Sequence, residues 1–363
     1  MEKHNVFSRL KSRLKLSLLP TRNANTKGFT LLELLVTVAI AGGIVSGLML
    51  IIVQLMGTDQ REASRSETQR EMQMAMDYIS AELREAVYVY TGSNLQCAAG
   101  TSGGGCVPLT SYLPASLSNN SVPVIAFWKQ QAFPETTAGV RGQCYGNNPP
   151  RGVSCLTGSS YALIVYSLSK APSTIWSGSA RITRYALTEF DSQGNLNKGY
   201  VNPGAFNNFA TWPFGKDERT GQTVDLRNVT VLSGRATGTP ADIPPVALVD
   251  FVDGLRSLED GQTRQATACS GDGTSYSISP TDAMLNSTPG FNSTVRGFYA
   301  CVSIRPQAAG SVQQEVDTGV NQDVLLYLRG NSKGRTGITG DGFLPALETR
   351  VLSRGVLTKR PSN

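Results

Sequence analysis

The feature that most constrains this chain is an apolar run from Phe29 to Met56 whose only charged residue is Glu33. A helix rises about 1.5 Å per residue, so roughly 20 apolar residues cross a bilayer, and this run is long enough. It is too long for the apolar core of an ordinary secretory signal, and no small-residue cleavage site follows it. We therefore predict a membrane-spanning helix over residues 29–56.

The segment before this run is strongly basic. It holds one acid, Glu2, and these basic residues: Lys3, Arg9, Lys11, Arg13, Lys15, Arg22 and Lys27. That excess accounts for the net charge of +6 of the chain, so the body that follows is neutral overall and argues against nucleic acid as a partner. The positive-inside rule keeps the basic segment in the cytoplasm. We expect a single-pass protein of the inner (cytoplasmic) membrane, with its N terminus cytoplasmic and its body periplasmic or extracytoplasmic.

Glu33 is unusual within this apolar run. An acid at the centre of a spanning helix costs about 2.5–3.5 kcal/mol, and such residues usually have a function and a partner. Glu33 lies near the start of the run, where the cost is smaller. Taken alone, it favours a simple signal anchor with one carboxylate at the interface, but its neighbours favour a different interpretation.

The segment Lys27–Val36 reads Lys-Gly-Phe-Thr-Leu-Leu-Glu-Leu-Leu-Val. It resembles the class III signal of type IV prepilins and type II secretion pseudopilins, in which a membrane peptidase cuts after the Gly and methylates the new N-terminal amine. The resemblance implies cleavage after Gly28, methylation of Phe29, and pairing of Glu33 with a subunit amine during assembly. Such a pair would satisfy a carboxylate in a medium of low dielectric constant.

The same resemblance implies a set of partners. They are a prepilin peptidase/methylase, other pilin or pseudopilin subunits, an inner-membrane assembly platform, and membrane lipid before assembly into a filament. The segment Arg61–Arg84 is similar to the helix end of large W-type minor pilins and J-type pseudopilins. The long basic leader and the body rich in Ser, Gly and Asn resemble hormogonium polysaccharide secretion pseudopilins. The implied function is a structural or priming subunit of a type IV pilus-like or pseudopilus filament used in motility or secretion, with polysaccharide export among the candidates.

The helical pattern continues beyond the apolar run. Apolar residues recur in steps of four and three at Met72, Met76, Ile79, Leu83 and Ala86. Such a stripe suits packing on the protein's own sheet or a coiled-coil partner, and we favour the sheet because two heptads are too few for a coiled coil. The predicted helix runs from Phe29 to about Val89. Three glycines interrupt its first half, Gly42, Gly43 and Gly47, and serve either close helix packing or local melting.

After Tyr90 the pattern changes to short β-like runs between clusters of Gly, Ser, Pro and Asn. The predicted strands are Val122–Trp128, Tyr161–Ser167, Arg181–Leu187, Val229–Ser233, Val246–Val252, Gly297–Ile304, Val324–Arg329 and Glu348–Leu352. We expect long loops at 91–121, 130–160, 190–226 and 262–295.

These elements predict an α+β, pilin-like fold, in which a long N-terminal helix with a transmembrane first half packs on an antiparallel β-sheet domain with long loops. The predicted divisions are a cytoplasmic leader that is removed (1–28), the transmembrane part of the helix (29–56), its extramembrane part (57–90) and a β-rich globular domain (91–363).

All six cysteines lie beyond the apolar run. An even number in an exported body suggests disulfides, although six cysteines allow 15 pairings and free buried thiols are the alternative. We favour nearest neighbours, because two of these pairs would close small Gly-rich loops. The predicted pairs are Cys97–Cys106, Cys144–Cys155 and Cys269–Cys301.

The body offers little catalytic chemistry. The only histidine is His4, in the leader, which excludes Ser-His-Asp and Cys-His catalysis and His-based zinc sites from the body. We therefore predict no catalytic residue, no metal and no cofactor. The alternatives are a membrane-anchored envelope enzyme or binding module acting on polysaccharide, or an uncleaved adhesin.

Two weaker signals bear on those alternatives. Carboxylate pairs of the kind that glycosidases use occur at Asp250/Asp253 and Glu259/Asp260, but such pairs are common on surfaces. The C-terminal tail is basic and suits either an acidic polysaccharide or plain solvation. Its basic residues are Arg350, Arg354, Lys359 and Arg360.

Overall fold

A long helix, α1 (Leu31–Arg84), precedes the β-rich part of the chain in this computed structural model. The structure describes residues 28–96, 108–132, 158–203, 209, 212–216, 223–226, 240, 243–254, 269, 275–293, 296–304, 322–340 and 343–353. The chain divides into two compact units, Met1–Met56 and Gly57–Asn363.

Helix α1 ends at Arg84, earlier than the predicted end near Val89. The next residues, Ala86–Val89, form strand β1 instead. This segment contains Val87, Tyr88 and Val89, whose β-branched and aromatic side chains pack well in a strand. All of β1 is buried, so tertiary packing ends the helix here.

The remaining elements follow in chain order. They are α2 (Gly92–Leu95), two 3-10 helices (Leu109–Tyr112 and Ala115–Leu117), β2 (Ser121–Ala132), β3 (Ser159–Ser169), β4 (Ala180–Leu187), β5 (Phe214–Lys216), β6 (Thr223–Asp225), β7 (Val246–Val252), β8 (Ser275–Ser279), α3 (Asp282–Ser287), β9 (Phe298–Ile304), β10 (Asp323–Arg329) and β11 (Ala346–Leu352).

The strands form three antiparallel sheets within the described residues. A five-stranded sheet has the order β1-β2-β3-β4-β7, a four-stranded sheet has the order β11-β10-β9-β8, and β5 pairs with β6. A long N-terminal helix followed by antiparallel sheets confirms the predicted α+β class and its pilin-like layout.

The predicted strands agree with β2, β3, β4, β7, β9, β10 and β11, with ends that differ by up to four residues. Val229–Ser233 lies outside the described residues. The expected loops are partly structured, because 91–121 contains short helices, 190–226 contains the β5–β6 hairpin, and 262–295 contains β8 and α3. Loop 130–160 lies mostly outside the described residues.

The apolar stripe of the second half of α1 belongs to the main core. Met72, Met76, Ile79, Leu83 and Ala86 are all buried, and they share one cluster with residues of both larger sheets. Ala86 is the exception to the helical pattern, since it lies in β1. This part of α1 therefore packs on the protein's own sheets, which is the interpretation that the sequence favoured.

Candidate functional site

The first half of α1 presents an apolar surface to its surroundings. The large apolar side chains between Phe29 and Met56 are 47% to 85% exposed. By length and composition, α1 can cross a membrane. Because exposed apolar surface of this extent is unfavourable in water, this half of the helix needs lipid or other subunits around it.

The start of α1 is capped by Thr30. Its hydroxyl accepts a hydrogen bond from the backbone N–H of Glu33 at 3.3 Å, and its carbonyl accepts one from the N–H of Leu34 at 3.1 Å. A Thr at the N-cap with a Glu three residues later is the capping-box pattern. The observed bond uses the backbone N–H of Glu33, so the capping side chain is that of Thr30. An acid in the first turn is also favoured by the helix dipole.

Gly28 and Phe29 precede the helix. Both lie in chain without regular secondary structure, and Phe29 is exposed. A side chain placed on Gly28 would meet no atom within 4 Å. The peptide bond between the two residues therefore lies ahead of the first turn of α1.

The helix is continuous at the three glycines of its first half. Gly42, Gly43 and Gly47 are all helical, and a Cβ on any of them would meet no atom within 4 Å. The structure thus has an unbroken helix where the sequence left open local melting. Small residues on an exposed helix surface let another helix approach closely.

The other end of α1 is fixed by Glu82, a buried acid in its last turns. A carboxylate there opposes the helix dipole, so it needs specific partners. The guanidinium of Arg184 on β4 donates to both carboxylate oxygens, at 2.9 and 2.8 Å. Lys129 on β2 forms an ion pair at 2.8 Å, and the hydroxyl of Tyr166 on β3 donates at 2.5 Å.

These contacts decide the charge of the cluster. Burial raises the pKa of Glu82, but hydrogen bonds from Arg184, Lys129 and Tyr166 outweigh it and lower the pKa to about 2. Burial lowers the pKa of Lys129 and of Arg184, but contact with Glu82 outweighs it and raises both. The carboxylate is therefore ionised at neutral pH and bonds α1 to three neighbouring strands.

A second polar contact holds the middle of the helix. Arg335 forms ion pairs with Glu67, at 2.6 Å, and with Glu71, and its guanidinium lies 4.1 Å from the ring centroid of Phe251. The hydroxyl of Ser64 donates to the carbonyl of Thr336 at 2.8 Å. The segment that follows β10 therefore contacts the helix through ion pairs and a hydrogen bond, and contacts β7 through the ring of Phe251.

The carboxylates that resembled a glycosidase pair have other partners. Asp250 accepts a hydrogen bond from the backbone N–H of Gly178 at 2.9 Å and lies 3.8 Å from Arg181. Asp253 accepts one from Arg329 at 2.8 Å. Both are buried and serve packing. The pair Glu259/Asp260 lies outside the described residues.

The basic tail and the cysteines are only partly described. Arg350 lies in β11 and pairs with Asp323, with its Nε 2.8 Å from the carboxylate, so it belongs to a strand. Cys269 and Cys301 form a disulfide with a Cα–Cα distance of 5.6 Å, in the pairing that we predicted. The remaining tail and cysteine residues lie outside the described residues; they are Arg354, Lys359, Arg360, Cys97, Cys106, Cys144 and Cys155.

Comparison with known families bears on the N-terminal segment. Residues 23–49 match the model of the prokaryotic N-terminal methylation motif. The chain carries a type IV prepilin-like signature. No curated protein and no solved structure matches it.

The prepilin-like signature confirms the resemblance found in Lys27–Val36. It supports a type IV pilin-like or pseudopilin subunit and fits a membrane-anchored protein. It also implies processing by a prepilin peptidase and assembly with other pilin subunits. A structural subunit, rather than an enzyme, is the role that this signature suggests.

Proposed function

We propose that this prepilin-like protein is a minor pilin or pseudopilin, a structural or priming subunit of a filament used in motility or secretion. The main support for the proposal is the position of the methylation motif relative to α1. The methylation motif at residues 23–49 overlaps the start of a helix whose large apolar side chains are exposed from Phe29 to Met56. A surface of this kind suits lipid before assembly and neighbouring subunits afterwards.

Maturation begins with cleavage between Gly28 and Phe29. The cut removes the basic leader and leaves the apolar helix intact, because both residues precede α1. The peptidase then methylates the amine of Phe29. The new terminus remains cationic and lies four positions before Glu33.

Assembly uses Glu33. Among the described residues, no basic side chain pairs with its carboxylate, and the first-turn dipole of α1 favours the charge. In a filament it pairs with the Phe29 amine of a neighbouring subunit, and this pair offsets the loss of lipid contacts. The inner-membrane assembly platform brings the two subunits together.

The globular unit supports a role as a minor subunit. The chain has 363 residues, and its body has two larger sheets with buried ion pairs at the helix. A body of this size suits a subunit at low copy number, such as one that primes assembly or sits at a tip. The Cys269–Cys301 disulfide and the basic leader both support a body outside the cytoplasm.

Fractionation of cells that produce the native chain tests the proposal. The full-length precursor should lie in the membrane, and a form that begins at methylated Phe29 should appear in sheared filaments. Matched cells without the prepilin peptidase should contain only the precursor. A chain that keeps residues 1–28 in peptidase-competent cells would overturn the proposal.

A further inference from the structure

The outer edge of β11 differs from the sheet edges at β1 and β8. On β1, the side chain of Gln322 bonds to the N–H and the carbonyl of Val89 at 2.9 and 2.7 Å. Helix α2 covers β8 so closely that a side chain on Gly92 would overlap the carbonyl of Ile278. Among the described residues, no strand pairs with the outer side of β11, and alternate residues along it are exposed.

The register of β11 on β10 shows which backbone groups point outward. At one end, Gly330 donates to the carbonyl of Pro345 at 2.8 Å, and at the other, Ser353 donates to the carbonyl of Gln322 at 2.9 Å. Because hydrogen-bonded positions alternate along an antiparallel pair, the odd-numbered residues of β11 bond to β10. The even-numbered residues direct their N–H and C=O groups away from the sheet; they are Ala346, Glu348, Arg350 and Leu352.

When two copies of β11 are aligned edge to edge, their charges are complementary in one register. Two copies of β11 that pair antiparallel about Thr349 place Glu348 of each copy opposite Arg350 of the other, at positions with outward backbone groups. A shift of two residues in one direction places Glu348 opposite Glu348. The opposite shift places Arg350 opposite Arg350. Both shifts are unfavourable, so charge selects the register centred on Thr349.

We propose that the outer edge of β11 pairs antiparallel with β11 of a second copy of this chain. The two four-stranded sheets then join across a two-fold axis at Thr349. Arg350 already pairs with Asp323, and Glu348 lies opposite Tyr327 of β10, so both residues have neighbours on β10 beside the edge. Charged residues commonly protect edge strands from pairing, and here the same charges admit one partner register.

The proposed contact between two β11 strands is small, so its test must detect a weak association. One pair of strands of seven residues buries far less than the roughly 1,200 Å² of ordinary stable interfaces. Association is therefore weak in dilute solution and requires the high local concentration of a membrane-anchored chain. The test accordingly uses the full-length chain in its membrane and traps the pair covalently.

The decisive variant is Thr349→Cys. Thr349 faces its own copy across the axis as a non-hydrogen-bonded pair, with Cα atoms about 4.5 Å apart, which is within the range of a disulfide. Mild oxidation should produce a dimer above the background of the native chain on a non-reducing gel. The matched control is Glu348→Cys, whose two copies fall roughly 8 Å apart and cannot be bridged. A folded Thr349→Cys chain that stays monomeric, or that links to a different protein, overturns the proposal.

Charge reversal in the Thr349→Cys background tests the register. Glu348→Arg or Arg350→Glu alone places like charges opposite each other and should abolish the dimer. Chains carrying the two reversals separately should form the mixed dimer when co-produced, and the double variant should pair with itself. Limited proteolysis establishes that each variant is folded. Undiminished dimer in the folded Glu348→Arg variant would overturn the proposed pairing.

Discussion

Arg184 donates two hydrogen bonds to the carboxylate of Glu82, at 2.9 and 2.8 Å, across a gap of about one hundred residues in sequence. Glu82 lies in the last turns of α1 and Arg184 lies on β4. The pair therefore fixes the end of the helix to the five-stranded sheet.

Replacement of Glu82 with Gln should destabilise the protein strongly. The variant leaves Lys129 and Arg184 without their shared carboxylate, and loss of one partner of a buried pair costs about 3–5 kcal/mol. We expect about 3 kcal/mol, because the Arg184 side chain is still 24% exposed. Glu85→Gln is the matched control. Among the described contacts, the exposed carboxylate of Glu85 bonds only to Lys129. Denaturant unfolding of the full chain in detergent measures both, and equal stabilities would contradict the role of Glu82.

The same carboxylate should make stability sensitive to acid. The pKa of Glu82 is about 2 in the folded protein, against an ordinary value of 4.5. A lowered pKa means that its contribution is fully present above about pH 4.5 and is lost as pH falls toward 2. The free energy of unfolding should therefore fall over this window in the native chain and fall less in Glu82→Gln. Identical pH profiles for the two proteins would show that Glu82 does not contribute.

Local sequence patterns predicted part of this fold. The stripe at Met72, Met76, Ile79 and Leu83 is a periodic signal that predicted burial correctly, and the apolar run predicted the exposed apolar surface of the first half of α1. The capping pattern of Thr30 and Glu33 was equally local and could have been recognised from Thr-x-x-Glu.

The remaining features depend on contacts that no local pattern encodes. Glu82 looks like an ordinary surface acid until β2, β3 and β4 bring Lys129, Tyr166 and Arg184 to it. Strand β1 was overlooked because its apolar residues continue the helical stripe through Ala86. Strand β8 was overlooked although Ser alternates with Tyr and Ile there, a period of two that is typical of a strand.

Processing depends on Gly28. Replacement with Arg adds bulk and charge beside the cut, so only the full-length precursor should accumulate. Gly42→Ala is the control, because it lies within the continuous helix, away from the cut, with open space around it. Mass spectrometry of the N terminus should find Phe29 first in the control and Met1 or Glu2 first in Gly28→Arg. Normal maturation of Gly28→Arg would remove the prepilin assignment.

Disulfides should be intact in protein isolated from the envelope. Non-reducing peptide mapping should recover Cys269 joined to Cys301, which the structure places 5.6 Å apart between Cα atoms. The predicted local bridges Cys97–Cys106 and Cys144–Cys155 are tested in the same map. Cys301→Ser should lower the free energy of unfolding by about 2–5 kcal/mol, as for other native disulfides. A free Cys301 thiol in the native protein would contradict this prediction.

Glu33 carries a charge and also belongs to the Thr-x-x-Glu pattern at the start of α1. Different substitutions can separate these two properties. Glu33→Gln keeps a side chain that is compatible with the capping box and removes the charge. Glu33→Ala removes both the charge and the Glu side chain of the Thr-x-x-Glu pattern. Thr30→Ala removes the hydroxyl that caps the helix and leaves the charge. All three variants should insert into the membrane, because the apolar run is unchanged, and all should be cut, because Gly28 is intact.

Only the loss of charge should block assembly if Glu33 meets a subunit amine. Glu33→Gln and Glu33→Ala should then be nearly absent from sheared filaments, whereas Thr30→Ala should enter them close to the native amount. The measurement is the ratio of each variant in filaments to the same variant in membranes. If Glu33→Gln assembles normally and the other two fail, the start of the helix is what assembly requires. Native ratios for both Glu33 variants would instead mean that assembly does not require the charge. Glu33 would then be a tolerated acid at the membrane interface, because a carboxylate without a partner is costly in the filament core.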